Sequence, residues 1–356
     1  MSSSATLVRN EVAAVPLEVV GLTAADFARW DAFVEATPEA TFFHRAGWKT
    51  VTEKAFGHRT HFLFAQSGGV IEGVLPLAEV KSRLFGHSLV SLPFAVYGGI
   101  AATTARARAA LEEAAEALAR QLQVGHLELR NMHAGNGEVP ASEIYVTFRK
   151  EIDPDVEKNM LAIPRKQRAM VRKGIKFELV AEIDDTVDRF FAVYADNVHR
   201  HGTPALPKKY FALIKEIFGK DCELLIVTKD GNPISGVMTF YFRDEVMPYY
   251  AGDLPAARDL AANDFKYWEL MRRACEKGYR IFDYGRSKRG TGPFDFKKNW
   301  GFEPTPLYYQ YKLITADRVP ENNPLNPKYR LMIETWRRLP LSVATWLGPH
   351  IVKYLG

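Results

Sequence analysis

Segment 282–302 concentrates side chains that could bind an anion. Its sequence, FDYGRSKRGTGPFDFKKNWGF, begins as a strand and passes into a loop bracketed by glycines. Glycine lets the backbone approach a ligand closely, and cationic side chains neutralise the ligand's charge. The loop therefore predicts a site for an anionic ligand; a solvated surface loop is the alternative. Its candidate ligand-binding side chains are Arg286, Ser287, Lys288 and Thr291.

A second basic segment lies near the middle of the chain. Residues 164–176, PRKQRAMVRKGIK, hold six cations and no acid. Read as a helix, the segment places its cations outward and turns Met170 and Val171 toward the protein. Exposed helices usually alternate charge, which this one cannot do, so we expect a phosphate or an RNA backbone as its partner. A solvated helix without a ligand is the alternative. The candidate ligand-binding residues are Arg165, Lys166, Arg168 and Arg172.

The elements that must position these residues occur twice. In the first half, a predicted hairpin turns at Ser67-Gly68-Gly69, and a later strand leads to Tyr97-Gly98-Gly99, a helix and a further strand. The second half repeats this order with a hairpin at Asp230-Gly231 and the tripeptide Tyr250-Ala251-Gly252. Alternating strands and helices indicate α/β units, and the shared order favours an internal duplication.

Length and composition fit a globular protein of two domains. A chain of 356 residues, 47% hydrophobic and 25% charged, can build two cores. We expect a first domain at 15–150, a second domain with the active site at 151–315, and a C-terminal amphipathic tail at 316–356. Cys222 and Cys275 show no metal-ligand spacing, which favours core positions in a reducing compartment.

The sequence shows no signal peptide and no run of 18 apolar residues. We therefore expect a cytoplasmic protein. The predicted tail combines aromatic and basic residues such as Trp346 and Arg338. That combination fits peripheral contact with the inner face of the membrane, and it fits docking on the protein's own core equally well.

The chain resembles the Fem-type peptidyltransferases, in the FemAB-like branch found with exosortase/PEP-CTERM and exopolysaccharide systems. The motifs run from about residue 40 to 312 and are more specific together than singly. Besides 282–302 they are Leu75-Pro76-Leu77, Ser82-Arg83-Leu84-Phe85-Gly86, Ser91-Leu92-Pro93-Phe94, Tyr97-Gly98-Gly99, Pro164-Arg165-Lys166, His201-Gly202-Thr203-Pro204 and Tyr249-Tyr250-Ala251-Gly252. The resemblance implies an α/β (α+β) fold of two tandem GNAT-like domains, each a mixed β-sheet flanked by helices.

The resemblance also implies an acyl- or aminoacyltransferase that forms an amide on an amine of a cell-envelope or exopolysaccharide precursor, linked to a nucleotide or lipid. Lys297 and Lys298 match the basic pair of the family's Phe-Lys-x-x-Phe/Trp-Gly region, which meets acceptor phosphate. We expect both lysines to point at the ligand, while Phe296, Trp300 and Phe302 anchor the turn.

Such a transfer needs a deprotonated amine and a stabilised oxyanion. Asp253 or Asp283 is a candidate base or amine ligand, and Tyr250 is a candidate donor to the oxyanion. His201 is a candidate substrate contact. The sequence shows no nucleophile elbow, no catalytic cysteine setting and no metal-ligand spacing, so we expect direct transfer without a covalent intermediate or a metal.

The donor stays open between aminoacyl-tRNA and acyl-CoA. GNAT domains that use acetyl-CoA present a Gln/Arg-x-x-Gly-x-Gly/Ala loop, which 250–264 lacks, and 289–292 is glycine-rich but leads into no clear helix. Residues 150–200 are also too short for the helical hairpin of the Gram-positive Fem enzymes. A CoA- or carrier-dependent N-acyltransferase of the same fold is one alternative. A nucleic-acid-binding protein without catalysis, supported only by 165–176, is another.

Overall fold

Strands and helices alternate through both halves of the chain. The computed structural model describes residues 15–82, 85–134, 144–318 and 327–356. The strands before residue 134 are β1 (Leu17–Gly21), β2 (Arg59–Ser67), β3 (Val70–Ser82), β4 (Gly86–Ser91), β5 (Ala101–Ala102) and β6 (His126–Asn131). The later strands are β7 (Tyr145–Glu151), β8 (Val180–Asp184), β9 (Cys222–Lys229), β10 (Asn232–Phe242), β11 (Glu245–Asp253), β12 (Ile281–Asp283), β13 (Ser287–Lys288), β14 (Pro304–Pro306) and β15 (Tyr308–Leu313).

The helices flank these strands. They are α1 (Phe27–Ala36), α2 (Gly47–Phe56), α3 (Ala105–Gln121), α4 (Val156–Ala162), α5 (Arg165–Lys176), α6 (Asp188–Arg200), α7 (Lys208–Phe218), α8 (Pro255–Asp259), α9 (Ala262–Glu276), α10 (Gly292–Asn299), α11 (Pro327–Arg338) and α12 (Leu341–Val352). None of the described helices is long and apolar enough to cross a bilayer.

Two β-sheets share one strand arrangement. The first runs β1-β2-β3-β4-β6-β15 and the second β8-β9-β10-β11-β12-β7-β13, with β5 beside β3 and β14 beside β7. In each sheet one parallel pair, β4 with β6 or β11 with β12, lies among antiparallel neighbours. The predicted architecture of two similar halves, each a mixed sheet flanked by helices, is confirmed.

The two sheets exchange their last strands. β7 pairs with β12 of the second sheet, from Ile281↔Glu151 to Asp283↔Arg149, and β15 pairs with β6 of the first. The predicted domain limits, 15–150 and 151–315, place most of β7 in the first domain and β15 in the second. In the structure β7 belongs to the second sheet and β15 to the first. Hydrophobic alternation identifies a strand but does not specify its partner, so the sequence offers no signal for this exchange.

The repeated order of elements is present, but the shared tripeptide does not mark equivalent positions. Tyr250-Ala251-Gly252 lies within β11, whereas Tyr97-Gly98-Gly99 lies in the loop between β4 and β5. Both predicted hairpins form, since Gly68, Gly69 and Gly231 adopt the positive φ that their turns require.

An aromatic core joins the two halves. Phe42 of the first half stacks on Phe240 of β10 with ring centroids 4.5 Å apart, and Phe43 packs on Tyr249 of β11 at 4.9 Å. Each buried aromatic side chain removes a large apolar area from water, which favours one fixed arrangement of the halves. Phe43 also packs on Tyr97 of the loop after β4, with ring centroids 6.1 Å apart, so one side chain contacts both that loop and β11.

The C-terminal helices dock on the rest of the protein. α11 and α12 pack on α6, and Gly348 lies so close to Ala205 that a Cβ there would be 3.0 Å from its backbone. His58 Nε2 also bonds the carbonyl of Lys353, at 2.7 Å. One face of the predicted amphipathic tail is therefore covered by the protein itself.

Candidate active site

The parallel strands β11 and β12 pair only at their first residues, and we call the open edge of β11 beyond this pairing the wedge. They pair only through Glu245↔Ile281 and Val246↔Phe282, and no described strand pairs with β11 on that side from Met247 onward. The pairing of β11 with β10 also shifts register between Tyr250 and Pro248, which leaves Tyr249 as the extra residue of a β-bulge. Unpaired backbone groups within a sheet can bond a ligand, and ligands of α/β folds gather at the carboxyl ends of strands.

Arg286 lies beside this wedge. It follows β12, and its guanidinium carbon is 4.6 Å from the ring centre of Tyr145 and 5.7 Å from that of Tyr309. Its Nη1 donates to the hydroxyl of Tyr309 at 3.4 Å. Burial raises the pKa of Tyr249 on β11 and Arg286 partly opposes that rise, so Arg286 and Tyr249 are close enough to interact.

A second arginine supports the same region. Arg130 on β6 donates to Glu128 Oε1 at 2.8 Å and to the carbonyl of Ala95 at 2.8 Å, and it approaches the ring of Tyr309. Both Arg130 and Glu128 are buried. We call Arg130, Glu128 and Arg286 the arginine cluster. Its two guanidinium groups face one carboxylate, which leaves a positive charge available for an anionic ligand.

The loop after β4 closes the wedge from the first half of the chain. The carbonyl of Phe94 accepts from the hydroxyl of Tyr249 at 2.7 Å, and that of Val96 accepts from Tyr309 at 2.8 Å. Leu92 and Phe94 adopt φ values of 60° and 66°, which cost energy for side chains of this size. Such strain persists where packing enforces it and is common at functional sites.

Tyr250 lies on β11, within the predicted site. Its hydroxyl bonds that of Tyr210 at 2.9 Å and lies 3.4 Å from the carbonyl of Phe94. Burial raises its pKa well above the usual value, so the phenol stays protonated and can donate. The hydroxyl of Tyr250 is thus a protonated donor on β11, and its present hydrogen-bond partners are protein atoms.

Asp283 is wholly buried at the end of β12. Its Oδ1 accepts from the amide of Gly285 at 2.6 Å, Tyr97 at 3.2 Å and Thr147 at 3.3 Å, while Oδ2 lies 3.2 Å from Nε of Arg149. Burial raises the pKa of this carboxyl. These contacts hold the loop of Arg286 against both halves, and a group so enclosed does not reach an acceptor amine.

Asp253 ends β11 in an ion pair. Its Oδ1 lies 2.9 Å from Nζ of Lys266, a wholly buried lysine on α9, and Ser235 also donates to it. The carboxylate therefore neutralises a buried cation. Among the predicted candidates, both carboxylates are thus engaged by protein groups.

The two adjacent lysines of the basic turn face different ways. Lys297 is buried, and its Nζ donates to the carbonyls of Tyr284 at 2.7 Å, Gly285 at 3.1 Å and Arg286 at 3.2 Å. Lys298 is exposed. The expectation that both point at a ligand does not hold for Lys297, because the segment forms α10 and neighbouring residues of a helix point about 100° apart. The loop 289–292 also leads directly into this helix, contrary to expectation.

The other predicted residues have structural surroundings of two kinds. Ser287 is buried, and Thr291 donates to the carbonyl of Lys288 at 2.7 Å, so both lie within the loop that carries Arg286. His201 instead follows α6, where its Nδ1 lies 2.7 Å from the carbonyl of Asn197 and its own carbonyl accepts from Arg337 of the tail. The structure therefore places His201 beside the tail.

The basic segment forms the predicted helix α5. Val171 is buried, and Gly174 packs so tightly on Phe265 of α9 that a Cβ would approach it to 2.7 Å. Arg168 donates to the carbonyl of Leu161 at 3.2 Å, and no ion pair among the described residues includes a cation of α5. Arg165 and Lys166 also lie in the first turn, where the helix dipole repels positive charge. An anionic ligand would relieve both costs.

The structure joins the two basic segments that the sequence shows separately. Pro164, just before α5, meets Gly301, just after α10, since a Cβ on Gly301 would lie 3.3 Å from its Cγ. Nζ of Lys150 lies 3.9 Å from that Cβ position on Gly301. Lys150, Lys298 and the start of α5 therefore border one basic surface.

We expect this surface to bind phosphate groups electrostatically. Replacing Arg165, Lys166, Arg168 and Arg172 by glutamine should weaken the binding of RNA and flatten its salt dependence, because fewer counterions are released. Filter binding across a salt series measures both. Glutamine at Arg337 and Arg338, which lie in the tail, is the matched control. An unchanged slope in the α5 variant would support the solvated-helix alternative.

We expect Lys297 to make stability depend on pH. Burial lowers its pKa from 10.5 to about 7, so between these values the unfolded chain binds one more proton than the folded chain. Stability therefore rises with pH in that interval, and below about pH 7 the full cost of burying the charge applies. Thermal unfolding between pH 6.5 and about 9 should show a smaller rise for Lys297→Met than for wild type, while Lys298→Met should match wild type. Parallel curves for wild type and Lys297→Met would contradict the assignment.

Several residues around the wedge were not predicted from the sequence. Tyr145, Tyr309, Arg149 and Lys266 come from strands or a helix whose neighbours the sequence does not reveal. Glu128 and Arg130 do leave a signal, because charged residues at alternate positions of an otherwise apolar strand share one face.

Comparisons with known proteins agree with this fold. Residues 158–298 match the family described as an acetyltransferase (GNAT) domain. The solved structure of FemX matches with a TM-score of 0.65 at 16% identity, covering 89% of this chain and 100% of that one. The C-terminal domain of a putative lysylphosphatidylglycerol synthetase from Agrobacterium fabrum matches at 0.56 and 14%, covering 80% and 91%.

A tandem GNAT protein from the clavulanic acid biosynthesis pathway matches with a TM-score of 0.52 at 15% identity, covering 85% of this chain and 100% of that one. No curated protein matches the sequence. The chain therefore has the fold of tandem GNAT-like proteins, as predicted.

Proposed function

We propose that this protein is an acyltransferase that moves an acyl or aminoacyl group directly to an amine in the wedge between β11 and β12. The observation that carries the proposal is the wedge itself, with the unpaired edge of β11 on one side and Arg286 on the other. The GNAT match over 158–298 and the tandem GNAT fold support acyl transfer as the class of reaction.

Direct transfer is supported by the state of the possible nucleophiles. Cys222 is buried, and burial raises the pKa of its thiol to about 12. The thiol of Cys275 is also buried and lies 3.0 Å from the carbonyl of Pro154. Neither cysteine offers a thiolate near neutral pH. Catalysis then depends on positioning and on donors to the oxyanion. Tyr250, whose phenol stays protonated, is the candidate donor and would have to exchange its bond to the carbonyl of Phe94 for one to the oxyanion.

For the acceptor we propose an amine on a cell-envelope or exopolysaccharide precursor, linked to a nucleotide or a lipid. The diphosphate of such a precursor suits the uncompensated positive charge of the arginine cluster. This assignment follows the resemblance of the sequence to the Fem-type enzymes, including the exosortase/PEP-CTERM branch.

For the donor we propose aminoacyl-tRNA rather than acyl-CoA. A CoA diphosphate at the start of α9 would face the carboxylate of Asp264, which accepts from Trp300 Nε1 at 2.9 Å in the first turn of that helix. The basic surface of α5 and Lys298 instead suits an RNA backbone. A CoA- or carrier-dependent N-acyltransferase of the same fold is the alternative.

The test offers the full-length protein several donors and acceptors. Mixed aminoacyl-tRNAs or acyl-CoAs are supplied with amine-bearing nucleotide- and lipid-linked precursors, and amide products are identified by mass spectrometry. We expect product with aminoacyl-tRNA, no acylated enzyme, and nearly full activity in Cys222→Ser and Cys275→Ser. Product with acyl-CoA alone would favour the alternative donor. RNA binding without any product would favour a nucleic-acid-binding protein.

A further inference from the structure

The two tail helices leave an apolar surface uncovered. One side of them is buried, with Trp336 8% exposed, Ala344 2% and Val352 7%. Both helices pack on α6. Large hydrophobic side chains elsewhere on the two helices are exposed, and we call them the tail surface: Leu331, Met332, Leu341, Val343 and Trp346.

Exposed hydrophobic residues are concentrated here. Of the fifteen large hydrophobic side chains that are exposed in the described part of the chain, six lie between residues 331 and 355. Trp346 is 70% exposed, whereas the other five tryptophans are at most 8% exposed. Single exposed hydrophobic residues are ordinary, but a cluster that includes a tryptophan marks a binding surface.

The charge around the tail surface identifies its partner. Residues 327–356 contain five lysines or arginines and one acid, Glu334. A symmetric contact with a second copy of the chain would bring these cations together, and like charges repel. An anionic bilayer offers both an apolar interior and negative headgroups, and tryptophan prefers the boundary between them.

We propose that the tail surface binds the headgroup region of an anionic lipid bilayer, with α11 and α12 lying along the interface. The residues that insert are apolar side chains that are already exposed, so binding needs no unfolding of the docked face. This binding is independent of the proposed transfer activity, because it uses neither the wedge nor the α5 surface.

Vesicle co-sedimentation of the full chain tests the proposal without any substrate. Wild type should bind vesicles of phosphatidylcholine mixed with phosphatidylglycerol and should bind phosphatidylcholine alone weakly. Trp346→Glu should lower binding about tenfold or more, since it places a charge among the inserting residues. Val70→Glu alters a side chain that is 67% exposed at the start of β3 and should leave binding unchanged.

Two further measurements separate the outcomes. Arg338→Glu should weaken binding to the mixed vesicles, and brominated lipids should quench the fluorescence of wild type more than that of Trp346→Phe. Melting temperatures close to wild type show that the variants are folded. Equal binding by Trp346→Glu, or no binding by wild type, would overturn the proposal. So would self-association of wild type that Trp346→Glu abolishes, because the surface would then join two copies of the chain.

Discussion

Replacing Arg286 by alanine should lower turnover by about 100-fold or more. The guanidinium is the half-buried cation beside the wedge, it stacks on Tyr145 and Tyr309, and its charge is not matched by a carboxylate of its own. Its removal leaves Arg130, whose Nε is already bonded to Glu128, as the remaining cation of the arginine cluster. A steady-state assay of amide formation measures the effect.

Two matched variants sharpen this prediction. Arg286→Lys keeps the charge but loses the planar stacking, so we expect an intermediate loss of about tenfold. Arg289→Ala changes an exposed arginine three residues further along the same loop and should alter turnover by less than about threefold. Equal losses of turnover in Arg286→Ala and Arg289→Ala would mean that turnover depends on the total charge of the loop and that Arg286 has no particular role.

Much of the fold was accessible from the sequence because its signals are local. Paired glycines fix the turn between β2 and β3, and the Asp230-Gly231 pair fixes the turn between β9 and β10. The helix α5 could be read from its apolar residues at Met170 and Val171. Such features depend on backbone sterics and on side-chain period, which neighbouring residues determine.

The exchange of strands between the sheets could not be read in this way. Nothing in Tyr145–Glu151 indicates that its partner is β12 rather than β6. The same limit applies to the wedge, since Tyr97 reaches Asp283 and Phe94 reaches Tyr249 across more than 150 residues. The sequence identified Arg286 and Tyr250 as candidates, whereas the tyrosines that surround Arg286 became visible only in the folded chain.

The helix α10 gives Lys297 and Lys298 different roles from those predicted for a turn. As a turn, Lys297 and Lys298 were expected to face the same ligand. As part of α10, Lys297 instead holds the carbonyls of Tyr284, Gly285 and Arg286. It therefore positions the backbone that carries Arg286, and Lys298 is the member of the pair that can meet a ligand.

Asp253→Asn should reduce the free energy of unfolding by about 3 kcal/mol. The substitution removes the carboxylate from Lys266, whose side chain is wholly buried on α9. An unpaired ammonium in the interior costs more than the ion pair contributes, so most of the loss comes from Lys266. Urea unfolding of Asp253→Asn and of the double variant Asp253→Asn/Lys266→Met should show that the second change restores much of the stability.

The same pair of variants decides whether Asp253 also takes part in proton transfer. If the carboxylate only neutralises Lys266, the double variant should keep turnover within about threefold of wild type, because refilling the site with an apolar side chain restores the end of β11. A base would not be replaced by that change, and turnover would stay about 100-fold low although the protein is stable again. We expect the first result, since Lys266 and Ser235 already occupy the carboxylate. A stable double variant with lost turnover and a missing acidic limb in its pH profile would instead make Asp253 the base.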